Sequence, residues 1–234
     1  MLDVITLEDW QALFLTVKLA FCTAFLLLFL CAPLAWVFVV KQFWGKNLFL
    51  SLFNLPFILP PTVLGFYLLI FLGAKGWFGQ FVQLLGLSPL PFRFSGLLVG
   101  SLVYSFPFAF QPLFFGFLAT GLTEYKRAFI FNANPWQAFW AVFFPQALPA
   151  FFHAFLFAFA HTLGEFGVVL MIGGNIPGQT QVFSTLLYGE VESLHYAKAN
   201  LLSLFALGTS FLLLLSITSW FGHFSGLKKQ QKEE

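Results

Sequence analysis

Residues Leu13–Val40 read LFLTVKLAFCTAFLLLFLCAPLAWVFVV, with Lys18 the single charge in the run. A helix crosses the hydrocarbon core of a bilayer with roughly 20 apolar residues. This run is long enough to cross as one helix, and it predicts a membrane protein. Four more stretches qualify: about Leu48 to Leu72, Ser95 to Leu118, Phe151 to Ile172 and Leu201 to Phe221. A shorter one, Trp77 to Leu87, ends in Ser88-Pro89-Leu90-Pro91 and reads as a short helix or re-entrant piece at the outer face. The expected fold is therefore all-α, a polytopic integral membrane protein with five transmembrane helices, a sixth remaining the open alternative.

Composition supports this. The 234 residues are 59% hydrophobic and 9% charged, with a mean hydropathy of +0.88. A soluble domain carries about 25% charged residues, so this chain lacks the polar surface to cover itself in water. A net charge of +2 gives no reason to expect nucleic acid. The two cysteines, Cys22 and Cys31, share one apolar run and form neither a disulfide framework nor a metal motif. They read as small apolar fillers, and no metal or cofactor is expected. Asp3, Glu8 and Asp9 precede the first run, where a signal peptide has a basic leader. That run is expected to stay as a transmembrane helix.

Basic residues orient the spans. With the N-terminus outside, Lys41, Lys46, Lys126, Arg127, Lys228, Lys229 and Lys232 fall on the inner side. Lys18, Lys75, Arg93 and Lys198 fall outside, diluted by Asp3, Glu8, Asp9, Glu190 and Glu192. This arrangement puts the loop from Gly121 to Leu148 and the C-terminus in the cytoplasm. No polar linker divides the chain, so residues 1–234 read as one domain with a core of about 10–221.

The inner loop can hold two short helices. Asn132 suits the left-handed turn that would end the first. Asn134 would cap the second, with Pro135 at its first position. Pro145 and Pro149 would mark re-entry into the membrane. Such an element could press on a soluble partner; it could equally be an amphipathic loop anchored by Trp136 and Trp140 in the headgroup layer.

Inside the spans, Pro56, Pro60 and Pro61 are expected to break the second, and Pro107 the third. Broken helices line wet cavities or are simply kinked for packing. The fourth carries His161-Thr162-Leu163-Gly164-Glu165-Phe166-Gly167. A carboxylate deep in an apolar helix costs about 2.5 to 3.5 kcal/mol on insertion scales, so Glu165 should face protein or water. His161, one turn away, is placed to pair with it. Gly164 and Gly167 would let a neighbouring helix approach. Glu165 is then a gate or hinge on a pathway, or a polar staple between helices. A carboxylate repels an anion unless protonated or paired, which argues against its being an anion ligand.

Together these pieces resemble the permease subunits of molybdate ABC importers, in the type I group that includes sulfate and tungstate permeases. The resemblance spans about Trp10 to Phe221. It rests on Leu55-Pro56-Phe57-Ile58-Leu59-Pro60-Pro61-Thr62-Val63-Leu64-Gly65, Tyr104-Ser105-Phe106-Pro107-Phe108-Ala109-Phe110-Gln111-Pro112-Leu113, Leu163-Gly164-Glu165-Phe166-Gly167 and Asn175-Ile176-Pro177-Gly178-Gln179-Thr180. The last is more like the molybdate than the sulfate members. The family's ATPase-docking motif reads Glu-Ala-Ala, three residues, then Gly. That register falls here on Lys126-Arg127-Ala128 and Asn132, followed by Ala133, Asn134, Pro135 and Trp136, so the glutamate and the glycine are replaced. His161 stands where the family usually carries Arg, which would give Glu165 a titratable partner. The resemblance implies the type I importer transmembrane fold and a homodimer with its pathway along the two-fold interface. It also implies a cytoplasmic ABC ATPase dimer docked on residues 121–148, a periplasmic molybdate-binding protein outside, and residence in the bacterial inner membrane. The chain has no Gly-rich phosphate loop, so the ATPase would be a separate subunit. A proton-driven secondary transporter would carry more intramembrane charge and repeated spans. A plain membrane scaffold would leave the broken spans and Glu165 unexplained.

Overall fold

The structure, a computed structural model, describes residues 6–120, 125, 127 and 134–230. Every regular element among them is helical. The helices are α1 (Leu7–Val40), α2 (Lys46–Asn54), α3 (Pro61–Leu72), α4 (Trp77–Leu84), α5 (Phe94–Thr120), α6 (Pro135–Ala138), α7 (Phe144–Leu163), α8 (Gly167–Gly173), α9 (Phe183–Glu192) and α10 (Tyr196–Gln230). The chain forms two compact units, one of residues Ile5–Thr185 and one built from Leu186 onward.

The first unit is organised by α1, α5 and α7, which pack against one another. Its interior is unusual in having small side chains at the helix contacts. Ala24, Cys31 and Ala35 of α1 meet Ala109 of α5 and Ala147, Ala150, Ala154 and Ala158 of α7, with Leu27, Leu113, Phe110 and Phe117 filling between them. The bulky residues point the other way: Phe14, Phe21, Phe25 and Phe29 of α1 are largely exposed. In lipid there is little hydrophobic gain from burying phenylalanine, and helices associate through close backbone approach over small residues. This explains where many of the 37 phenylalanines go. Cys31, fully buried in the alanine stripe, is a filler of that kind.

Local chemistry sets the helix ends. Thr6 and Asp9 form a reciprocal cap at α1: Asp9 N donates to Thr6 Oγ1 at 3.4 Å and Thr6 N donates to Asp9 Oδ2 at 2.7 Å. Four stretches are long and apolar enough to cross a membrane: Leu7–Val40, Pro61–Leu84, Phe94–Thr120 and Trp136–Leu163. Leu201 to Phe221, the fifth by sequence, is helical throughout within α10.

Two sequence expectations need correction. The stretch Leu48 to Leu72 is broken around Pro56 to Pro61, as its prolines predict, but the segment long enough to cross lies further along the chain. The stretch splits into α2, a 3₁₀ turn at Leu55–Phe57 and α3, and the segment of crossing length is α3 plus the turn Gly73–Gly76 plus α4. Pro60 and Pro61 supply no backbone N–H, so the helix restarts there with Pro61 at its first turn. Pro107, by contrast, does not break the third span: α5 runs through both Pro107 and Pro112. Away from water the helix has no better partner for its remaining hydrogen bonds. Pro145 and Pro149, expected to mark re-entry into the membrane, stand at the first turn of α7 and within it. A π-helical turn at Phe139–Phe143, closed by Phe144 N donating to Phe139 O, leads directly into α7. A wider turn of this kind absorbs the local disruption that a proline brings.

In the second unit a turn with Leu194 at φ 62° joins α9 to α10. Glu190 accepts from Lys198 Nζ at 2.8 Å and His195 Nδ1 at 3.0 Å. The Lys198 hydrogen bond, then that from His195, holds the Glu190 carboxyl below its ordinary range. A carboxyl lowered in this way stabilises the fold above its unfolded pKa, and the contribution disappears as pH falls through the lowered value. Acidification below about pH 4 is therefore expected to speed amide hydrogen exchange in the Ser193–His195 turn. The same rate in Glu190→Gln and the parent, at low and neutral pH, would show that the trio does not hold the turn.

Candidate functional site

The apolar pattern from Phe151 to Ile172 contains a break that divides it in two. Helix α7 ends at Leu163, Gly164 caps it, and α8 begins at Gly167. Glu165 sits in this break, not inside a helix. Its backbone N–H is held by Thr162 O at 3.3 Å, and its carbonyl accepts from Ser184 Oγ at 2.5 Å.

The Glu165 side chain is 3% exposed, and neither carboxyl oxygen has a hydrogen-bond partner. Ser101 of α5 stands beside it, its own hydroxyl also without a hydrogen-bond partner. The carboxyl belongs to the wall of a cavity of about 440 Å³ lined by Pro61, Thr62, Tyr104, Ala160, His161, Gly164, Glu165, Phe166 and Gly167. The start of α3 and the start of α8 both reach this wall. They touch: a Cβ at Gly167 would lie 2.9 Å from Pro61 Cβ and 3.2 Å from Thr62 N, and one at Gly65 would lie 2.9 Å from Met171 Cβ. Only glycine permits α3 and α8 to lie this close. Gly164 plays no such part, since a Cβ there would meet only His161 O at 3.8 Å.

His161 shares the cavity with Glu165 but is not its partner, contrary to the sequence expectation. Its Nδ1 lies 2.9 Å from Ser105 Oγ of α5, and its ring is stacked on Phe108 with centroids 3.7 Å apart and tilted against Tyr104 at 4.6 Å. The helix break explains the difference: Glu165 lies past the end of α7, so the one-turn spacing from His161 no longer applies. Of the other residues singled out by sequence, Pro61 lines the cavity, Pro60 precedes α3, and Pro107 is buried within α5. Sequence reasoning missed Ser101, Tyr104 and Ser105 as part of this site. It also missed a second polar bridge, Gln111 Nε2 donating to Asn54 Oδ1 at 2.7 Å. Hydroxyls four apart in an apolar span, Ser101 and Ser105, were the available signal. No three of His, Cys, Asp and Glu gather to hold a metal among the described residues.

In the loop of residues 121–148, Lys126, Ala128, Asn132 and Ala133 lie outside the described residues, as does most of the stretch expected to form the first short helix. Arg127 is exposed. The second helix begins as its residues dictate. Pro135 is its first residue, Gln137 N donates to Asn134 Oδ1 at 2.7 Å, and Asn134 N donates to Gln137 Oε1 at 3.2 Å. This is a reciprocal cap. Trp136 is 71% exposed and packs edge-on against Trp140 at 5.5 Å.

The chain belongs to the family of binding-protein-dependent transport system inner membrane components, whose family model matches residues 29–226, and it is a multi-pass inner membrane protein. It is 44% identical to the molybdenum transport system permease protein ModB of Azotobacter vinelandii over 91% of this chain and 94% of that one. It is 32% identical to the probable sulfate transport system permease protein cysT of Chlorella vulgaris, over 90% and 79%. The crystal structure of a bacterial ABC transporter involved in the import of the acidic polysaccharide alginate superposes with a TM-score of 0.70 at 15% identity, covering 92% of this chain and 79% of that one. That likeness shows the fold.

Proposed function

We propose that this chain is the membrane permease of an ATP-driven ABC importer for molybdate. The observation that carries the reading is the 44% identity to a molybdenum permease along nearly the full length of both chains, against 32% for a sulfate permease. Two copies form the pathway, with residues 1–234 acting as one permease domain. A cytoplasmic ATPase dimer docks on residues 121–148. A periplasmic molybdate-binding protein delivers the anion at the outer face. The N-terminus is outside and the C-terminus cytoplasmic. Nucleotide binding closes the ATPases, and the docked loops turn that closure into outward opening. Glu165 and the α3–α8 contact act as the gate; the paired glycines Gly65 and Gly167 and the helix restarts at Pro61 and Gly167 support that assignment, because they let α3 and α8 lie in direct contact beside Glu165.

The sulfate relatives give a second reading, separable by competition. The importer is reconstituted with its ATPase and binding protein, and labelled molybdate uptake is measured against unlabelled sulfate. Molybdate uptake is expected to persist in about a hundredfold excess of sulfate, a preference of about 3 kcal/mol. Uptake abolished by equimolar sulfate would make it a sulfate permease.

A further inference from the structure

The hydrogen bonds around His161 run in one direction. Thr162 Oγ1 lies 2.9 Å from Ala158 O, Ser105 Oγ lies 2.9 Å from Thr162 Oγ1, and His161 Nδ1 lies 2.9 Å from Ser105 Oγ. Three contacts need three hydrogens. The carbonyl has none, and each hydroxyl has one to give. Thr162 therefore donates to Ala158 O, Ser105 donates to Thr162, and His161 Nδ1–H donates to Ser105. Any other assignment leaves two lone pairs facing each other at one contact. The neutral ring is thus the Nδ1–H tautomer, and Nε2 is a bare lone pair.

Nε2 has no partner among the described residues, while the ring lines the 440 Å³ cavity. A bare nitrogen and an oxyanion are both acceptors and repel. With a proton on Nε2 the same atom becomes a donor carrying positive charge. Phe108, stacked at 3.7 Å, and Tyr104, at 4.6 Å, offer ring faces that favour a cation. The titratable groups lining the cavity with His161 are Tyr104 from α5 and Glu165 from the break; α3 contributes Pro61 and Thr62 and no charge.

We propose that His161 is the oxyanion contact of this cavity, engaging the anion only with a proton on Nε2, so that each oxyanion held here draws one proton from water. Ser105 is a positioning residue that sets the tautomer. The inference rests on the permease reading above. It also explains how an unpaired carboxyl and an anion can share one cavity: the protonated ring offsets one negative charge, so the anion enters with its own neutralising proton.

The test uses the complete importer in proteoliposomes, with labelled molybdate uptake and ATP hydrolysis followed together from pH 6 to 8.5. Wild-type uptake per ATP is expected to fall as pH rises, by up to about tenfold per unit for one linked proton. His161→Gln should be slow at every pH. His161→Arg, permanently charged, should take up molybdate with a flat profile. Ser105→Ala frees the ring to place its proton on Nε2 while neutral, so its alkaline decline should be shallower. Identical pH profiles for wild type, His161→Arg and Ser105→Ala would overturn the proposal, and if the arginine variant fails to assemble the Ser105→Ala comparison alone decides it. A wild-type complex that hydrolyses ATP yet imports no molybdate at any pH would overturn the permease reading, and this inference with it.

Discussion

Gly116→Ala is expected to destabilise the assembled helices by about 1–3 kcal/mol, the usual cost of overpacking a tight core. Gly116 of α5 lies against Ala150 of α7, and a Cβ built on it would sit 2.3 Å from Ala150 Cβ and 3.4 Å from Ala150 Cα. No rotamer relieves this clash, because alanine has none; the helices must move apart. Moving them strips contacts from the whole stripe of Ala147, Ala150, Ala154 and Ala158, all buried in the α1–α5–α7 core. In a bilayer that loss has no compensating hydrophobic term, since packing is what associates the helices. The measurement is thermal unfolding of the purified complex followed by gel filtration. Gly164→Ala, where the new methyl meets only His161 O at 3.8 Å, should melt within about 0.5 kcal/mol of wild type. The double variant Gly116→Ala with Ala150→Gly should recover most of the loss, because the two sites are in direct contact. Equal melting for Gly116→Ala and Gly164→Ala would show that α5 and α7 are not packed as described.

The helices themselves were legible because each rule that marks them acts locally. The unbroken apolar run of α1 needs only its length, and its acidic first turn with Thr6 makes the cap. Asn134 before Pro135 announced the second loop helix because both residues act on their own backbone. What could not be read depended on packing. The run from Phe151 to Ile172 stays apolar across the break, and the residues that stop α7 and start α8 were read as the interior of one helix, carrying a gate or hinge or a polar staple. Only the seating of Gly167 against Pro61 and Thr62, about a hundred residues earlier in the chain, shows why the helix restarts there. The supposed pairing of His161 with Glu165 failed for the same reason. Helical spacing put them together, whereas Ser105 on another helix claimed the imidazole first. Pro107 was misread because proline was weighed as it acts in water, where a freed carbonyl is readily solvated.

Trp136→Glu is expected to weaken attachment of the partner ATPase by at least about 2 kcal/mol, roughly thirtyfold. Trp136 belongs to a helix that starts with a rigid reciprocal cap from Asn134 and Gln137 and continues through the π-helical turn into α7. Force applied at Trp136 therefore passes along one unbroken helical segment to Leu163, immediately before Gly164 and Glu165. The indole is 71% exposed in the isolated chain, and a large exposed tryptophan on a stiff element is the kind of residue that dominates a protein interface. The competing account makes it a headgroup anchor. Trp44 supplies the comparison, since it is fully exposed, with a relative accessibility of 101%, and belongs to the short loop between α1 and α2. If both tryptophans only anchor the chain in lipid, Trp136→Glu and Trp44→Glu should behave alike, lowering membrane yield while leaving bound ATPase per permease unchanged. If the coupling reading holds, Trp136→Glu alone should lose the ATPase on co-purification and uncouple the remainder, with hydrolysis no longer stimulated by the loaded binding protein. Retention of coupled ATPase by Trp136→Glu at the wild-type ratio would remove residues 134–143 from the docking surface and break the proposed route from nucleotide to Glu165.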